Sequence, residues 1–111
     1  MIFQYTLEQV LSGKKTQTRR RIRPGRKFVY QAGKTYTIQP KRSQSAVARF
    51  EALAVRKQQL GEMTQDEAVA EGFGSIAEYQ ELWVRQYGSF NPDKEVWVIE
   101  FKLKENENTR V

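Results

Sequence analysis

A basic stretch near the start of the chain carries the residues with the clearest chemical potential. Residues 12–27 read SGKKTQTRRRIRPGRK, in which eight of sixteen positions are Lys or Arg and none is acidic. An arginine guanidinium can hold a phosphate or carboxylate through two parallel hydrogen bonds. A lysine can act as a base or nucleophile when neighbouring positive charges lower its pKa. The stretch could therefore bind an anion, present a reactive lysine, or do both.

The stretch directly follows a predicted helix, which places its first half in a loop. TLEQ has the capping-box pattern, with Thr6 at the N-cap and Gln9 three residues later. The helix can run to Leu11 and end at Gly13, and Pro24-Gly25 then forces a turn. A disordered basic tail would not alternate with two threonines behind a capped helix, so we interpret GKKTQTRR as a site loop.

Charge is strongly segregated along the chain. No acidic residue lies between Glu8 and Glu51, and this segment holds twelve of the nineteen Lys and Arg residues. The pattern indicates a basic face that attracts a polyanion or an anionic small molecule. The alternative is a basic surface that serves solubility alone.

Composition excludes several kinds of chemistry. The chain has no Cys and no His, which removes disulfides, nearly all zinc sites, histidine-based triads and histidine-dependent RNA cleavage. A carboxylate-held magnesium ion stays possible, but no DxD-like cluster suggests one, and we expect neither metal nor cofactor. There is no run long enough to span a membrane and no signal-peptide pattern. We therefore expect a cytoplasmic protein without a membrane partner, and favour a monomer.

Two further helices are marked by capping boxes. TQDE, with Thr64 and Glu67, begins a helix over DEAVAEGF. SIAE, with Ser75 and Glu78, begins a longer helix that stops at Tyr87-Gly88. Aromatic and aliphatic residues at three-and-four spacing indicate the buried face of this helix. They are Ile76, Tyr79, Leu82 and Trp83.

Four segments have the patterns of strands. EVWVIEFKLK alternates cleanly, KTYTIQP is a shorter run ended by proline, and FVYQAGK is a short strand entering a glycine turn. AVARFEALAVRK is long, but its apolar phase slips near residues 50–52, which predicts a bulge. We expect an α+β fold, a small curved β-barrel flanked by short helices. It forms a single domain over residues 1–104, followed by a frayed tail over residues 105–111.

Motifs along most of the chain resemble those of the ASCH domain family, relatives of the PUA RNA-binding barrel. The first is G-x-K-T-x-T-x-R, from Gly13 to Arg20. DEAVAEGF, SIAEYQELW and NPDKEVWVIEF follow in the order of the family's later helices and last strand. The resemblance implies a small β-barrel whose signature loop lines a cleft that handles RNA or nucleotides.

The loop is most similar to that of the bacterial N4-acetylcytidine amidohydrolases. This branch has Lys and, three residues on, Thr, as Lys15 and Thr18 here, where many other ASCH domains have Glu at the second position. The branch's third catalytic residue, a Glu on a later helix, falls on Glu71. The resemblance implies that Thr18 attacks the acetyl carbonyl, Lys15 takes the hydroxyl proton, and Glu71 protonates or holds N4 of cytosine. Arg20 would bind the substrate or the oxyanion.

The segment RIRPGRK is more basic than binding of a neutral nucleoside requires. A phosphate backbone would benefit from each positive charge. We therefore predict nucleic-acid contacts from Arg19, Arg21, Arg23, Arg26 and Lys27. Three functions stay open: an amidohydrolase for N4-acetylcytidine as nucleoside or in RNA, a non-catalytic RNA-binding module, and a metal-independent ribonuclease. The partner is RNA or a cytidine-type nucleoside in each case.

Overall fold

Two long strands form the centre of the sheet. The computed structural model describes residues 1–106. Its strands are β1, Gln17–Arg21; β2, Thr35–Ile38; β3, Ala48–Gln59; and β4, Glu95–Asn106. They form one antiparallel sheet in the order β1-β4-β3-β2. β3 and β4 pair over their whole length, from Ala48 opposite Asn106 to Gln59 opposite Glu95. With the helices, this sheet confirms the predicted small α+β fold.

β3 bends where its apolar phase slips. Its register against β4 shifts between Arg49 and Phe50 and again between Ala52 and Ala54. Phe50 and Ala52 are fully buried, whereas Leu53 at the second shift is 53% exposed. An extra residue on one strand of an antiparallel pair bends that strand and changes which side chains face the core. The predicted bulge in this strand is confirmed.

Backbone pairing does not close the sheet into a barrel within residues 1–106. β1 and β2 are its edges, and residues 22–34 form no strand that could join them. The first residues of the chain lie between the edges instead. Ile2 forms a parallel bridge with Gln39 beside β2, and Arg20 Nη2 on β1 donates to the Ile2 carbonyl at 2.9 Å. The predicted barrel is thus an open, curved sheet whose edges are connected through Ile2.

Three helices flank the sheet. They are α1, Leu7–Leu11; α2, Gln65–Ala70; and α3, Ile76–Tyr87, with a 3-10 turn over Leu60–Glu62. The capping box of α2 is confirmed: the Thr64 hydroxyl accepts from Glu67 N–H at 3.2 Å, and the Glu67 carboxylate accepts from Thr64 N–H at 3.0 Å. None of the helices in the described residues is long and apolar enough to cross a membrane.

The other two capping boxes are incomplete. On α3, the Ser75 hydroxyl accepts from Glu78 N–H, but the Glu78 carboxylate accepts from Gly74 N–H at 2.8 Å. On α1, Thr6 occupies the N-cap without a side-chain capping bond. Thr6 is only 6% exposed, and it lines a cleft between β1 and α3. The helix positions were predicted correctly, whereas the capping prediction for α1 was wrong because tertiary packing takes Thr6 inward.

The core has two parts that share β4. The first contains Met1, Phe3, Val10, Ile38, Ala48, Phe50, Ala52, Ile99 and Phe101. The second, beneath α2 and α3, contains Leu60, Met63, Ala68, Tyr79, Trp83 and Val96. Alternate residues of a strand face opposite sides, so β4 supplies Ile99 and Phe101 to one part and Val96 to the other. Its first half is therefore buried on both faces, and its second half alternates as predicted.

The predicted strand FVYQAGK is wrong. Residues 28–34 lie outside the strands. The end of this segment contacts β3, where Gly33 N–H donates to the Ala52 carbonyl at 2.7 Å. Its aromatic rings pack on the sheet instead. Phe28 stacks on Trp97 with a centroid distance of 4.4 Å and an interplanar angle of 12°.

At the other end of the chain, β4 includes residues 105 and 106 of the predicted tail, and residues 107–111 lie outside the described residues.

Candidate active site

Part of the predicted site loop is a strand. After α1 the chain turns at Gly13, which has a φ of +79°, and β1 begins within the motif. β1 pairs antiparallel with β4, which places Thr18 opposite Ile99. The loop prediction was wrong for Gln17–Arg21 because backbone pairing with β4, and not the polar side chains, determines the conformation there. The pairing holds the motif residues on a rigid element.

Lys15 and Glu71 form a buried ion pair. Lys15 Nζ lies 2.8 Å from Glu71 Oε1, and the two side chains are 5% and 2% exposed. Arg19 Nη1 lies 3.0 Å from the other oxygen, Oε2. Because a cation engages each oxygen, the Glu71 carboxylate has a defined orientation. The structure thus brings together two residues separated by 56 positions in the chain.

A glycine allows the end of α2 to approach Lys15. Glu71 is the C-cap of α2, and Gly72 follows with a φ of +99°. A Cβ atom at Gly72 would lie 3.2 Å from side-chain carbons of Gln9 and 3.5 Å from Lys15 Cβ. Both the backbone conformation and the close contact favour glycine here. Gly72 therefore helps to position Glu71 against the motif.

All three guanidinium nitrogens of Arg19 donate hydrogen bonds to other side chains of the protein. Its Nε and Nη2 donate to Gln58 Oε1 at 3.1 and 2.7 Å. Nη2 also lies 3.0 Å from Glu67 Oε2, and Nη1 donates to Gln17 Oε1 at 3.2 Å. Its side chain is 0% exposed. Arg19 is therefore buried and does not lie on the exposed surface that was predicted to bind nucleic acid. Its contact with Glu71 instead orients the carboxylate.

Glu67 connects this network to the protein surface. Arg56 Nη2 lies 2.7 Å from Glu67 Oε2, and Gln58 Nε2 donates to Glu67 Oε1 at 3.1 Å. Burial alone would raise the pKa of Glu67. Hydrogen bonds from Arg56, Thr64 and Gln58, together with the charge of Arg19, outweigh burial and lower the pKa to about 2.

Within residues 1–106, no three acidic side chains lie close enough together to hold a metal ion.

Thr18 shares a cleft with Lys15 and Glu71. The space that they line is small, with a volume of about 50 Å³, and Arg19 and Arg20 also line it. Thr18 is 3% exposed, and its hydroxyl makes no side-chain hydrogen bond among the described residues. The predicted catalytic residues therefore face one space, and the hydroxyl is available to a ligand there.

Burial changes the protonation of two cleft residues. It lowers the pKa of Lys15 below 10.5; the charge and hydrogen bond of Glu71 oppose this, while Arg20 and Arg19 lower the pKa further. Burial also raises the pKa of Tyr79 well above 10, and the charge of Glu71 raises it further. Tyr79 thus remains a neutral phenol across the physiological range, and Lys15 loses its proton more easily than an exposed lysine.

Sequence reasoning missed the aromatic wall of the cleft. Tyr79, Trp83 and Tyr87 are four residues apart on α3, and all three line the cleft. The sequence pattern assigns Trp83 to the core, and the residue is only 5% exposed. Trp83 packs in the core beneath α3 and also lines the cleft. The four-residue spacing is visible in the sequence, but it cannot distinguish a core face from a cleft wall. Trp97, whose pattern also indicates core, lines a second cavity.

That second cavity is a basic groove beside the cleft. It has a volume of about 430 Å³, and none of the acidic residues that the structure describes lines it. Four of the predicted nucleic-acid residues, Arg21, Arg23, Arg26 and Lys27, line it together with Phe28, Tyr30 and Trp97. The Arg21 guanidinium lies 4.3 Å from the centre of the Tyr87 ring. We call this surface the basic groove.

The open antiparallel sheet with its flanking short helices defines a small α+β domain. The family model for the ASCH domain matches residues 3–105, so the chain belongs to the ASCH domain family, for which RNA-related roles have been proposed. The resemblance inferred from the sequence is confirmed at the level of the family. No functionally curated protein matches the sequence significantly.

Solved structures share the fold at low sequence identity. An ASCH domain from Lactobacillus crispatus has a TM-score of 0.73 at 20% identity, over 89% of this chain and 70% of that one. A protein from Enterococcus faecalis has a TM-score of 0.70 at 21% identity, over 90% and 67%. A mutant ASCH protein from Zymomonas mobilis has a TM-score of 0.63 at 16% identity, over 97% and 72%. At these identities the likeness concerns the fold.

Proposed function

We propose that this ASCH domain is a metal-independent amidohydrolase that releases the acyl group from N4-acetylcytidine. The observation that carries the proposal is the cleft itself. A lysine with a lowered pKa lies 2.8 Å from a buried carboxylate, and a threonine hydroxyl without a side-chain partner in the described residues lines the same space. A nucleophile, a base and an acid are the groups that amide hydrolysis requires.

The first step is attack on the acetyl carbonyl. In the form of the protein in which Lys15 has lost its proton, Lys15 removes the hydroxyl proton of Thr18. The Thr18 oxygen then forms a bond to the carbonyl carbon. The negative charge that develops on the carbonyl oxygen lies near Lys15, now protonated, and in the positive field of Arg19 and Arg20. This arrangement favours the tetrahedral intermediate over the neutral amide.

The second step breaks the bond between the carbonyl carbon and N4. The proton on Lys15 passes to Glu71 across the 2.8 Å contact, and Glu71 delivers it to N4, so cytidine leaves with a neutral amine. The acetyl group stays on Thr18 as an ester. Water then attacks this ester with Lys15 as base, releasing acetic acid and restoring the hydroxyl. No step requires a metal ion.

The cleft is lined by aromatic side chains. Its α3 wall presents Tyr79, Trp83 and Tyr87, and Phe3 and Tyr5 line the same space. Planar bases stack well on aromatic side chains. The neutral Tyr79 phenol can donate a hydrogen bond inside the cleft. The aromatic wall therefore supports a heteroaromatic ligand over an aliphatic amide.

The direct test is incubation of the pure protein with N4-acetylcytidine and a chelator, following cytidine release by chromatography. We expect release by the wild type and a loss of at least about a thousandfold in Lys15→Met and Thr18→Val. The matched controls are Lys14→Met and Thr16→Val, whose exposed side chains adjoin the tested ones and should leave the rate unchanged. No release by the folded wild type, or equal rates in Thr18→Val, would contradict the proposal.

The basic groove favours a second candidate, an RNA-binding module. Its cations would neutralise phosphates, so affinity should fall steeply with salt. We expect Arg21→Gln and Arg23→Gln each to weaken binding of single-stranded RNA and to reduce the slope of log affinity against log salt by roughly 0.7. Arg85→Gln, an exposed change on α3 outside the groove, should leave the slope unchanged. RNA binding without hydrolysis would favour this candidate alone.

A further inference from the structure

Arg20 differs from its neighbour Arg19 in having no ion-pair partner within residues 1–106. Among the described residues, its guanidinium makes one hydrogen bond, from Nη2 to the Ile2 carbonyl oxygen at 2.9 Å. Its Nε is buried and has no hydrogen-bond partner. The carboxylate that lines the cleft, Glu71, is already engaged by Lys15 and Arg19. The guanidinium thus keeps donors and a positive charge that this part of the chain does not neutralise.

The Arg20 side chain is only partly exposed to water. The guanidinium carbon lies 4.9 Å from the centre of the Phe3 ring, and burial lowers the pKa of Arg20 from its ordinary value. A charge withdrawn from water is unfavourable unless it is paired. The same withdrawal strengthens any interaction with an anion that does reach the group. An incoming anion would therefore bind more strongly here than at an exposed arginine.

Arg20 also lies where two cavities meet. Together with Ile2 and Tyr87, it lines both the catalytic cleft and the basic groove. A ligand that extends from the cleft into the groove must pass this residue. The groove continues with Arg21, Arg23, Arg26 and Lys27, which are exposed cations. The positive charge thus continues from the mouth of the cleft along one surface.

We propose that Arg20 is the receptor for a phosphate group of a nucleotide whose base occupies the cleft. The natural substrate would then be a nucleotide, free or within a strand that continues along the basic groove, rather than an uncharged nucleoside. The inference rests on the proposed function only for the identity of the base. A guanidinium presents its donors in a planar fork that matches two phosphate oxygens, which a lone lysine cannot do.

The test is a binding measurement and does not depend on hydrolysis. Calorimetry compares cytidine, cytidine 5′-monophosphate, cytidine 3′-monophosphate and inorganic phosphate on the wild type, Arg20→Gln and Arg85→Gln. We expect one monophosphate to bind the wild type roughly tenfold to a hundredfold more tightly than cytidine. This preference should disappear in Arg20→Gln and persist in Arg85→Gln, which removes an equal charge elsewhere.

Several outcomes would overturn the assignment. Equal affinity of cytidine and both monophosphates for the wild type would do so, as would a preference that survives in Arg20→Gln. Inorganic phosphate that binds as tightly as a nucleotide would indicate a free-anion site. If Arg20→Gln does not fold, the side-chain NMR signals of Arg20 in the wild type provide the readout. They should shift with the preferred monophosphate and not with cytidine, and the absence of that difference would refute the proposal.

Hydrolysis distinguishes this inference from the proposed function. If the protein does not hydrolyse N4-acetylcytidine but binds a monophosphate through Arg20, the amidohydrolase proposal fails and the phosphate receptor stands. If the protein hydrolyses N4-acetylcytidine and the monophosphates of this nucleoside with equal kcat/KM, and binds them equally well, the amidohydrolase proposal stands. In that case the assignment of Arg20 as a phosphate receptor fails. The two conclusions can therefore be accepted or rejected separately.

Discussion

Lys15 Nζ and Glu71 Oε1 lie 2.8 Å apart inside the protein, and the second oxygen of the same carboxylate lies 3.0 Å from Arg19. The arrangement is asymmetric. Glu71 has two cationic partners, so it retains one if Lys15 is removed. Lys15 and Arg19 share this carboxylate, and Lys15 has no other ion pair in the described residues. The two ends of the pair should therefore differ in their contribution to stability.

Replacement of Glu71 should destabilise the fold more than replacement of Lys15. Glu71→Gln leaves the buried Lys15 without a carboxylate partner, while Arg19 keeps Glu67. We expect a loss of about 3–5 kcal/mol in the free energy of unfolding. Lys15→Met leaves Glu71 bound to Arg19, and we expect a loss of about 1–2 kcal/mol. Urea denaturation of both variants gives the comparison. Equal losses would show that the pair does not have this asymmetry.

The rate of hydrolysis should rise with pH. The proposed base is neutral Lys15, whose pKa lies below 10.5 because of burial, so kcat/KM should increase through an inflection below that pH. Removal of a nearby positive charge favours the protonated lysine and raises its pKa. Arg20→Gln should therefore move the inflection to higher pH, while Arg85→Gln, an exposed change at a residue that does not line the cleft, should not. A profile that falls with pH in this range would exclude Lys15 as the base.

Glu67 should make the fold sensitive to acid. Its pKa is lowered from 4.5 to about 2 in the folded state, so between these values the unfolded chain binds more protons. Unfolding free energy therefore rises with pH in this window, and the contribution of Glu67 is complete above it. Denaturation experiments from pH 2 to 7 measure the free energy of unfolding of the wild type and of Glu67→Gln. The difference in favour of the wild type should shrink as the pH falls from 4.5 to 2. The exposed Glu81→Gln change should leave the curve parallel to wild type.

Gly72 should be less tolerant of a side chain than Gly13. Both have a positive φ, of +99° and +79°, which costs a non-glycine residue about 1–2 kcal/mol. Only at Gly72 would a Cβ also press on Gln9, at 3.2 Å, whereas at Gly13 nothing lies within 4 Å. Gly72→Ala should therefore lower the melting temperature more than Gly13→Ala and also reduce activity by displacing Glu71. Equal effects would indicate that the contact relaxes freely.

The sequence predicted the features that depend on neighbouring residues. The capping box at Thr64 and Glu67, the glycine end of α1 and the phase slip in β3 are all visible as local patterns, and the structure contains them. The ASCH motifs identified the family for the same reason, because each is a short run with fixed spacing. Lys15 and Thr18, three residues apart, are likewise recognisable as a pair from their spacing alone.

Arg19 and Arg20 show what the sequence did not contain. They are adjacent and chemically identical, yet one is bound by Gln58, Glu67 and Glu71 from 39 to 52 positions away. The other retains an unpaired, buried Nε at the mouth of a cleft. Which acceptors each guanidinium meets depends on how β1 pairs with β4 and on where α2 ends. Local spacing indicated this stretch as the candidate site. Only the tertiary structure decided which guanidinium is satisfied by other side chains and which keeps an unpaired nitrogen, because burial and hydrogen-bond partners come from distant parts of the chain.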